Sequence, residues 1–388
     1  MKNKIKNIFR YPQILLLNIS YLCFKFFIKK IDKKNSWVIG VDEIARNIYF
    51  LKNILKPSVS VSFSKNKFYD LNYDYFINIS NKYLSYFYRV IYGPILLGYL
   101  SNKHSHFWYI WSTGFLIDRD YEFKFLKLKN KKIVCMFVGD DIRSLVKTIK
   151  YSKSQNEDTY ANYYGIVNPV YLTDKYEFDK REIARITDKY ADIVFNAKYD
   201  QMSYLQSKQF NWIYTYDKNK FFKNDNKFKD IKKIKILHAP SNAIYKGTQL
   251  VRAAIKKLQI DGYNFEYIEL QNMPNEVVLE HLKSSHIVLN QFYSFAPGLF
   301  GIEAMANHCA VLMSADPSIE TGLPQDSKDA WLITKYWEVY DNLKYLLDNP
   351  EKIKYYADRG YDFAYKHYTY EAASEYINKV LKENGVIE

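Results

Sequence analysis

Between His286 and Ser314 the chain reads HIVLNQFYSFAPGLFGIEAMANHCAVLMS, and this stretch restricts the fold more than any other. The short apolar run from Ile287 to Leu289 predicts a buried strand. A loop with Pro297, Gly298 and Gly301 follows, GIEAMA opens a helix, and AVLM over 310–313 returns as a strand. Strand, glycine-bearing loop, helix, strand is a βαβ unit, which puts both strands in a parallel sheet. Such a loop delivers a helix N-terminus, whose free N–H groups and positive dipole end suit a phosphate or pyrophosphate. Glu303 is expected in the first turn of that helix, where matching the dipole is by itself a sufficient reason for a carboxylate.

The same alternation runs through most of the chain. WVIGV (37–41), VSVSF (59–63), YFINI (75–79), HFWYIW (106–111), KIVCMF (132–137) and DIVFN (192–196) read as strands. Between them lie the helix DEIARNIYFLKNIL, stopped by Pro57, and KYLSYFYRVIYGPILLGYL, an apolar helix broken or kinked near Pro94. VGDDIR sets Gly139, Asp140, Asp141 and Arg143 at a strand's carboxyl end, the edge that holds the ligand crevice of an open α/β sheet. One of the two aspartates is expected to cap a helix starting near Ile142. Residues 150–175 are polar, tyrosine-rich and without a clear period. YDKNKFFKNDNKFKD (216–230) has the composition of a linker. Beyond it IKILHA (234–239) and NFEYIEL (264–270) are strands, and QLVRAAIKKLQ and PNEVVLEHLKSS are helices. Lys246 and Gly247 directly precede the first of these helices, where ammonium, N–H groups and dipole converge on a diphosphate position. The Walker A spacing is absent, and a Lys-Gly-Thr at a helix start is by itself commonly a solvated lysine.

A chain of 388 residues accommodates two such units, and its boundaries read as an arm over 1–35, a first domain over 36–215, the linker, and a second domain over 231–388. The net charge of +14 is concentrated: residues 1–35 hold nine Lys or Arg and one Asp. A local basic arm points to an anionic surface, and no RNP-like or helix-turn-helix pattern appears, so no nucleic-acid partner is expected. Within the arm, ILLLNISYLCFKFFI (14–28) lies between lysine clusters, Lys29, Lys30, Lys33 and Lys34 forming the second. It is shorter than the ~20 residues of a spanning helix, contains Lys25, and lacks a small-residue cleavage site. Two dispositions fit: an in-plane helix on an anionic membrane, or a helix packed on the protein's own surface. Cys23, Cys135 and Cys309 form no C-x-x-C pair, which suggests reduced thiols, no zinc site and a cytoplasmic location, peripheral on the inner membrane face. The abundance of Tyr (38) and Phe (25) reads as a base-composition bias, which lowers the weight of any single aromatic as a site marker.

HAPSN, KGT, a strand ending in NQ, and G-x-x-G-IEAMA resemble the C-terminal domain of family-4-like (group 1) glycosyltransferases of bacterial surface polysaccharide synthesis. The closing segment WEVYDNLKYLLDNPEKIKYYADRGYDFAYKHYTYEAASEYINKVL is similar to their last helices, one of which is expected to pack back on the first domain. DEIARNIYFL, FVGDDIR and DKYADIVFNAKYDQMSYL resemble the first domain more loosely, and residues 1–35 lie outside the likeness. The resemblance implies a GT-B fold of two Rossmann-like domains facing a cleft. It implies hexosyl transfer from a nucleotide sugar to a lipid-linked or oligosaccharide acceptor in capsule, lipopolysaccharide or O-antigen synthesis. By the same resemblance Glu303 stands where the second Glu of an E-x7-E motif binds the donor ribose, and Lys246 where a basic residue neutralises the diphosphate. Gly247 and the amides near Gly298 and Gly301 would cradle phosphates, with Ser241, Asn242 and Gln291 lining the donor site. Retention of configuration is the family default. With no D-x-D pair, the expectation is no metal and no cofactor beyond the donor itself.

The sequence departs from the family at three places in the site and at one helix end. The motif's first Glu falls at Phe295, an expected Arg falls near Ala243, and an expected His falls at Val138. These departures motivate the alternative of a non-catalytic GT-B-like subunit or sugar-binding partner. Asp140 and Asp141 are the carboxylates to test for catalysis. His308 takes the place of a helix-ending Gly, with Asn307 expected to make the left-handed turn. His238, at a strand end, fits either the cleft or a satisfied structural position.

Overall fold

The computed structural model describes residues 2–27, 35–63, 71–77, 79, 81–211, 213–229, 231 and 233–388. Lys29, Lys30, Lys33 and Lys34 of the arm and the end of the predicted linker lie outside those residues. The first sheet contains β1 (Trp37–Val41), β2 (Ser58–Ser62), β3 (Tyr75–Phe76), β4 (His106–Ile110), β5 (Lys132–Met136), β6 (Ile193–Phe195) and β7 (Gln209–Phe210). The second contains β8 (Ile234–His238), β9 (Phe265–Glu269), β10 (Ile287–Leu289), β11 (Ala310–Met313) and β12 (Leu332–Ile333). All pairings are parallel, in the orders β3-β2-β1-β4-β5-β6-β7 and β12-β11-β10-β8-β9. β1, β4 and β10 are buried along their whole length, as strands covered on both faces by helices must be, and this is why they read as unbroken apolar runs.

The helices are α1 (Lys2–Phe27), α2 (Asn47–Ile54), α3 (Lys82–Lys103), α4 (Arg119–Leu128), α5 (Leu145–Ser154), α6 (Tyr164–Val167) and α7 (Asp174–Tyr190), followed by α8 (Thr248–Ile260), α9 (Asn275–Ser284), α10 (Gly298–Ala306), α11 (Val339–Asp348), α12 (Pro350–Tyr368) and α13 (Tyr370–Glu383). Several begin away from the expected residue, and the caps explain why. α2 starts at Asn47 because the Glu43 carboxylate accepts from the Ile48 and Tyr49 amides, both at 3.2 Å. α5 starts at Leu145, capped by Ser144, so neither aspartate of VGDDIR caps it. α10 starts at Gly298, which moves Glu303 into the second turn and removes the dipole as the reason for its carboxylate. At the end of α10, His308 takes the left-handed turn (φ 59°) and Asn307 does not.

The predicted linker is docked along the second domain. The Phe222 amide donates to Ala306 O at 2.8 Å, and Lys227 Nζ donates to Ser285 O at 2.8 Å and Asn307 O at 3.0 Å. The chain then returns. Tyr368 and Thr369 pass beside Tyr216, and α13 lays Ile377, Val380 and Leu381 on Trp37, Ile39, Trp108 and Phe195 of the first sheet. Leu381 is fully buried there, so Leu381→Ala is expected to destabilise the protein by about 2–5 kcal/mol in urea unfolding. A loss under about 1 kcal/mol would mean that α13 is not part of the first domain's core.

α1 runs parallel to α3. Gln13 Nε2 donates to Val90 O and Asn102 Nδ2 to Tyr21 O, both at 2.9 Å, and Leu17 sits among Leu96, Leu97 and Leu100. One face of the arm is therefore covered by the protein's own surface. Among the described residues no helix is long and apolar enough to cross a membrane.

Candidate functional site

In open parallel sheets ligands bind beyond the carboxyl ends of the strands, at the point where strand order reverses. In the second sheet that point lies between β8 and β10, so the loops leaving His238 and Leu289 meet there. They bring Lys246 to Gln291: the Lys246 ammonium donates to Gln291 Oε1, and Gln291 Nε2 donates to Ala296 O. Gly298 opens α10 at φ +66°, a conformation suited to glycine, and an added Cβ there would stand 3.6 Å from the Gln291 amide and 3.8 Å from Lys246 Nζ. Gly247, also left-handed at φ 73°, caps α8 on the other side. Two helix N-termini and one ammonium thus converge, the arrangement that holds a pyrophosphate. Burial pushes Lys246 down to about 8, against the Asp200 carboxylate, which raises it.

The other donor-loop residues divide between framework and surface. Asn242 Oδ1 accepts from the Ile244 and Tyr245 amides and shapes the turn before Lys246, while Ser241 is exposed. Gly301 is needed for close packing, since a Cβ would meet Asn290 Nδ2 at 2.7 Å. His238 is fully buried between Leu289 O (2.7 Å) and Thr248 Oγ1 (2.9 Å), which settles it as structural. Glu303 is nearly buried, accepts from Asn275 Nδ2 at 3.1 Å, and is pushed up to about 7 by burial. Arg46 of the first domain and Lys220 of the connecting stretch pull it the other way, so its carboxylate looks across the domain boundary.

The first-domain carboxylates are held tightly. Asp140 Oδ1 accepts from Arg143 Nη1 at 2.5 Å and from the Tyr164 hydroxyl, and Oδ2 from Tyr171 at 3.3 Å. Asp141, 1 % exposed, turns inward to the Gly139 (2.9 Å) and Val138 (3.3 Å) amides, and burial raises it to about 7. The Tyr164 ring lies 4.5 Å from that of Tyr245, so this network abuts the loop carrying Lys246.

Sequence reasoning missed Asp200. From the loop after β6 its Oδ1 accepts from Ser294 Oγ (2.6 Å) and the Phe295 amide (2.7 Å), and its Oδ2 lies 3.9 Å from Arg143. A first-domain carboxylate therefore fastens the backbone at the position where the family's first Glu is absent. The Phe295 side chain is buried, edge-on to Tyr151.

Two further features lie away from Lys246. A cavity of about 590 Å³ in the first domain is bounded by Arg10 and Gln13, Arg89, Asp118, and Glu182 and Arg185. At the far end of α10 from Gly298, Asp225, His308 and Asp358 are close enough to share a cation. Lys354 already pairs with both of those carboxylates, at 2.9 and 2.6 Å.

No family model and no curated protein matches the sequence. Solved structures do match its fold. Anabaena HepE in complex with UDP-glucose is 10 % identical, with a TM-score of 0.56, covering 90 % of this chain and 99 % of that one. WaaG, a glycosyltransferase involved in lipopolysaccharide biosynthesis, is 11 % identical, with a TM-score of 0.54 and coverage of 91 % and 99 %. An alpha-glucosyltransferase in complex with UDP-glucose and DNA containing an abasic site is 11 % identical, with a TM-score of 0.50 and coverage of 89 % and 99 %. Two parallel-sheet α/β domains, a returning C-terminal helix and these neighbours together establish that the chain has the GT-B fold.

Proposed function

We propose that the chain is a glycosyltransferase that moves a sugar from a nucleotide-sugar donor to a lipid-linked or oligosaccharide acceptor in bacterial surface polysaccharide synthesis, on the cytoplasmic face of the membrane. The observation that carries this reading is the convergence of Lys246, Gln291 and the Gly298 N-terminus of α10 at the second sheet's switch point, one helical turn above Glu303. A departing nucleoside diphosphate gains negative charge, and fixed cationic and N–H donors at that place lower the barrier without a metal. Retention of configuration is the reading favoured by the family resemblance. The basic arm supplies contact with an anionic membrane.

Glu303 gives the test. Glu303→Gln keeps size and removes charge, and a hydrogen bond to a charged group contributes about 1.5–3 kcal/mol, so UDP-glucose affinity should fall by about tenfold or more. Because Glu303 ionises near 7, wild-type affinity should also weaken as pH falls through that value, and the variant should lack this step. Calorimetric titration of both proteins across pH reads both effects. Equal affinities at every pH would remove Glu303 from the donor site.

A second reading, a GT-B-like subunit that binds donor without turnover, is favoured by the confinement of Asp140 and Asp141 to bonds within the first domain. It predicts UDP-glucose binding with no hydrolysis of the donor, whereas the enzyme should release UDP slowly even without acceptor.

A further inference from the structure

α1 and α3 leave a surface that neither domain uses. Along α1, Ile8, Tyr11, Leu15, Ile19, Leu22 and Phe26 recur every three or four residues and are 49–81 % exposed, while Gln13, Leu17 and Ser20 on the other side are buried. Next to this ridge the first half of α3 exposes Tyr83, Leu84, Phe87, Tyr88 and Ile91. Apolar ground this continuous is uncommon on a monomer and marks an interaction site. The two helices themselves carry charge of one sign, although Arg10 is paired with Asp118 at 2.5 Å. The sequences of α1 and α3 contain five and three Lys or Arg respectively and no Asp or Glu, in a chain with 42 acidic residues. A partner that is apolar at depth and anionic at its surface fits this ground, and the interface of a bilayer containing anionic lipid is such a partner.

We propose that α1 and the N-terminal half of α3 form one two-helix platform that lies in the headgroup region of an anionic membrane. This rests on the membrane reading given for the arm and extends it to a helix of the first domain itself. Because the helices are parallel and packed through Leu17, Leu96 and Leu97, they enter the interface as a rigid pair, which fixes the tilt of the whole domain in a way that a single flexible arm does not. Arg10 and Tyr86 of the same pair line the 590 Å³ cavity, which sets that cavity at the edge of the platform.

The test is co-flotation of the full chain with phosphatidylcholine vesicles, with and without phosphatidylglycerol. It compares wild type, a Leu15→Ser/Ile19→Ser/Leu22→Ser variant in α1 and a Tyr83→Ser/Phe87→Ser/Tyr88→Ser variant in α3. All six positions are at least partly exposed, so the variants should fold, and an unchanged Tm verifies it. The expected result is flotation of wild type that depends on phosphatidylglycerol, with vesicle-bound fraction reduced about tenfold by either variant. If the α3 variant floats like wild type while the α1 variant does not, the two-helix platform is overturned and the arm reading stands. If wild type fails to float, both fall. Salt-sensitive binding to duplex DNA without vesicle binding would assign the surface to nucleic acid instead.

Discussion

Lys246→Met should lower kcat/KM for donor turnover by about 10²–10³, the size of effect seen when one preorganised donor to a developing anion is removed. Methionine keeps the stem packed between α8 and α10, so the loss reports the charge and not a collapse of the loop. The pH dependence sharpens the prediction. Burial brings Lys246 to about 8, and the protonated form is the one that pairs with a diphosphate, so donor affinity falls as pH rises through that value. Stability moves the other way. Between about 8 and the ordinary lysine value of 10.5 the unfolded chain holds this proton and the folded chain does not, so this group's contribution to stability increases with pH. Loss of UDP-glucose binding above about pH 8 without a parallel fall in Tm is therefore the signature of Lys246, and Lys246→Met should abolish the step. With Glu303 ionising near 7, donor affinity should peak between the two values. A profile that is flat from about pH 6.5 to 9 in wild type would exclude both residues.

Arg143→Met should be among the most destabilising single changes away from the apolar core, at about 3 kcal/mol, because it empties a buried cationic position and leaves two partly buried carboxylates without their counter-charge. The Arg143 side chain is 9 % exposed, stands 2.5 Å from Asp140 and 3.9 Å from Asp200, and lies over the Tyr160 ring at 4.6 Å. Asp200 in turn holds Ser294 and the Phe295 amide, so losing the guanidinium loosens the contact between domains as well as the first domain itself. Urea unfolding measures the total. In a double-mutant cycle, adding Asp140→Asn should restore part of the loss, since one stranded charge is then neutral. A loss under about 1 kcal/mol, or full additivity with Asp140→Asn, would show that the three groups do not act together.

The strands that read clearly in the sequence are those buried on both faces, because continuous apolar runs such as WVIGV have no other use in an open α/β sheet. β7 and β12, two residues each, are defined only by pairing with a neighbour and leave no local pattern, whereas β3 keeps the first two residues of the YFINI run. Residues 150–175 resist assignment because cross-domain ring contacts hold them, Tyr163 on Tyr293 and Tyr164 on Tyr245, in place of a periodic apolar face. In the site, the glycines and Lys246 were legible because helix N-termini and left-handed turns restrict residue type. The turn occupied by Glu303 was not, since it depends on where Pro297 and Gly298 let α10 begin. Asp200 gave no signal: its partners Ser294 and Phe295 are 94 and 95 positions away in sequence.

The return of α13 to the first sheet has a consequence for biosynthesis. Trp37, Ile39, Trp108 and Phe195 belong to strands made early, yet part of what covers them, from Ile377 to Val386, is made only after the whole second sheet. While the chain is being synthesised, that face of the first sheet is covered only in part, by Ile48 and Leu51 of α2 and Leu55 at its end, until α13 emerges. The first domain's core is thus completed by residues that lie beyond the second sheet in sequence, which ties the last step of its folding to the return of α13.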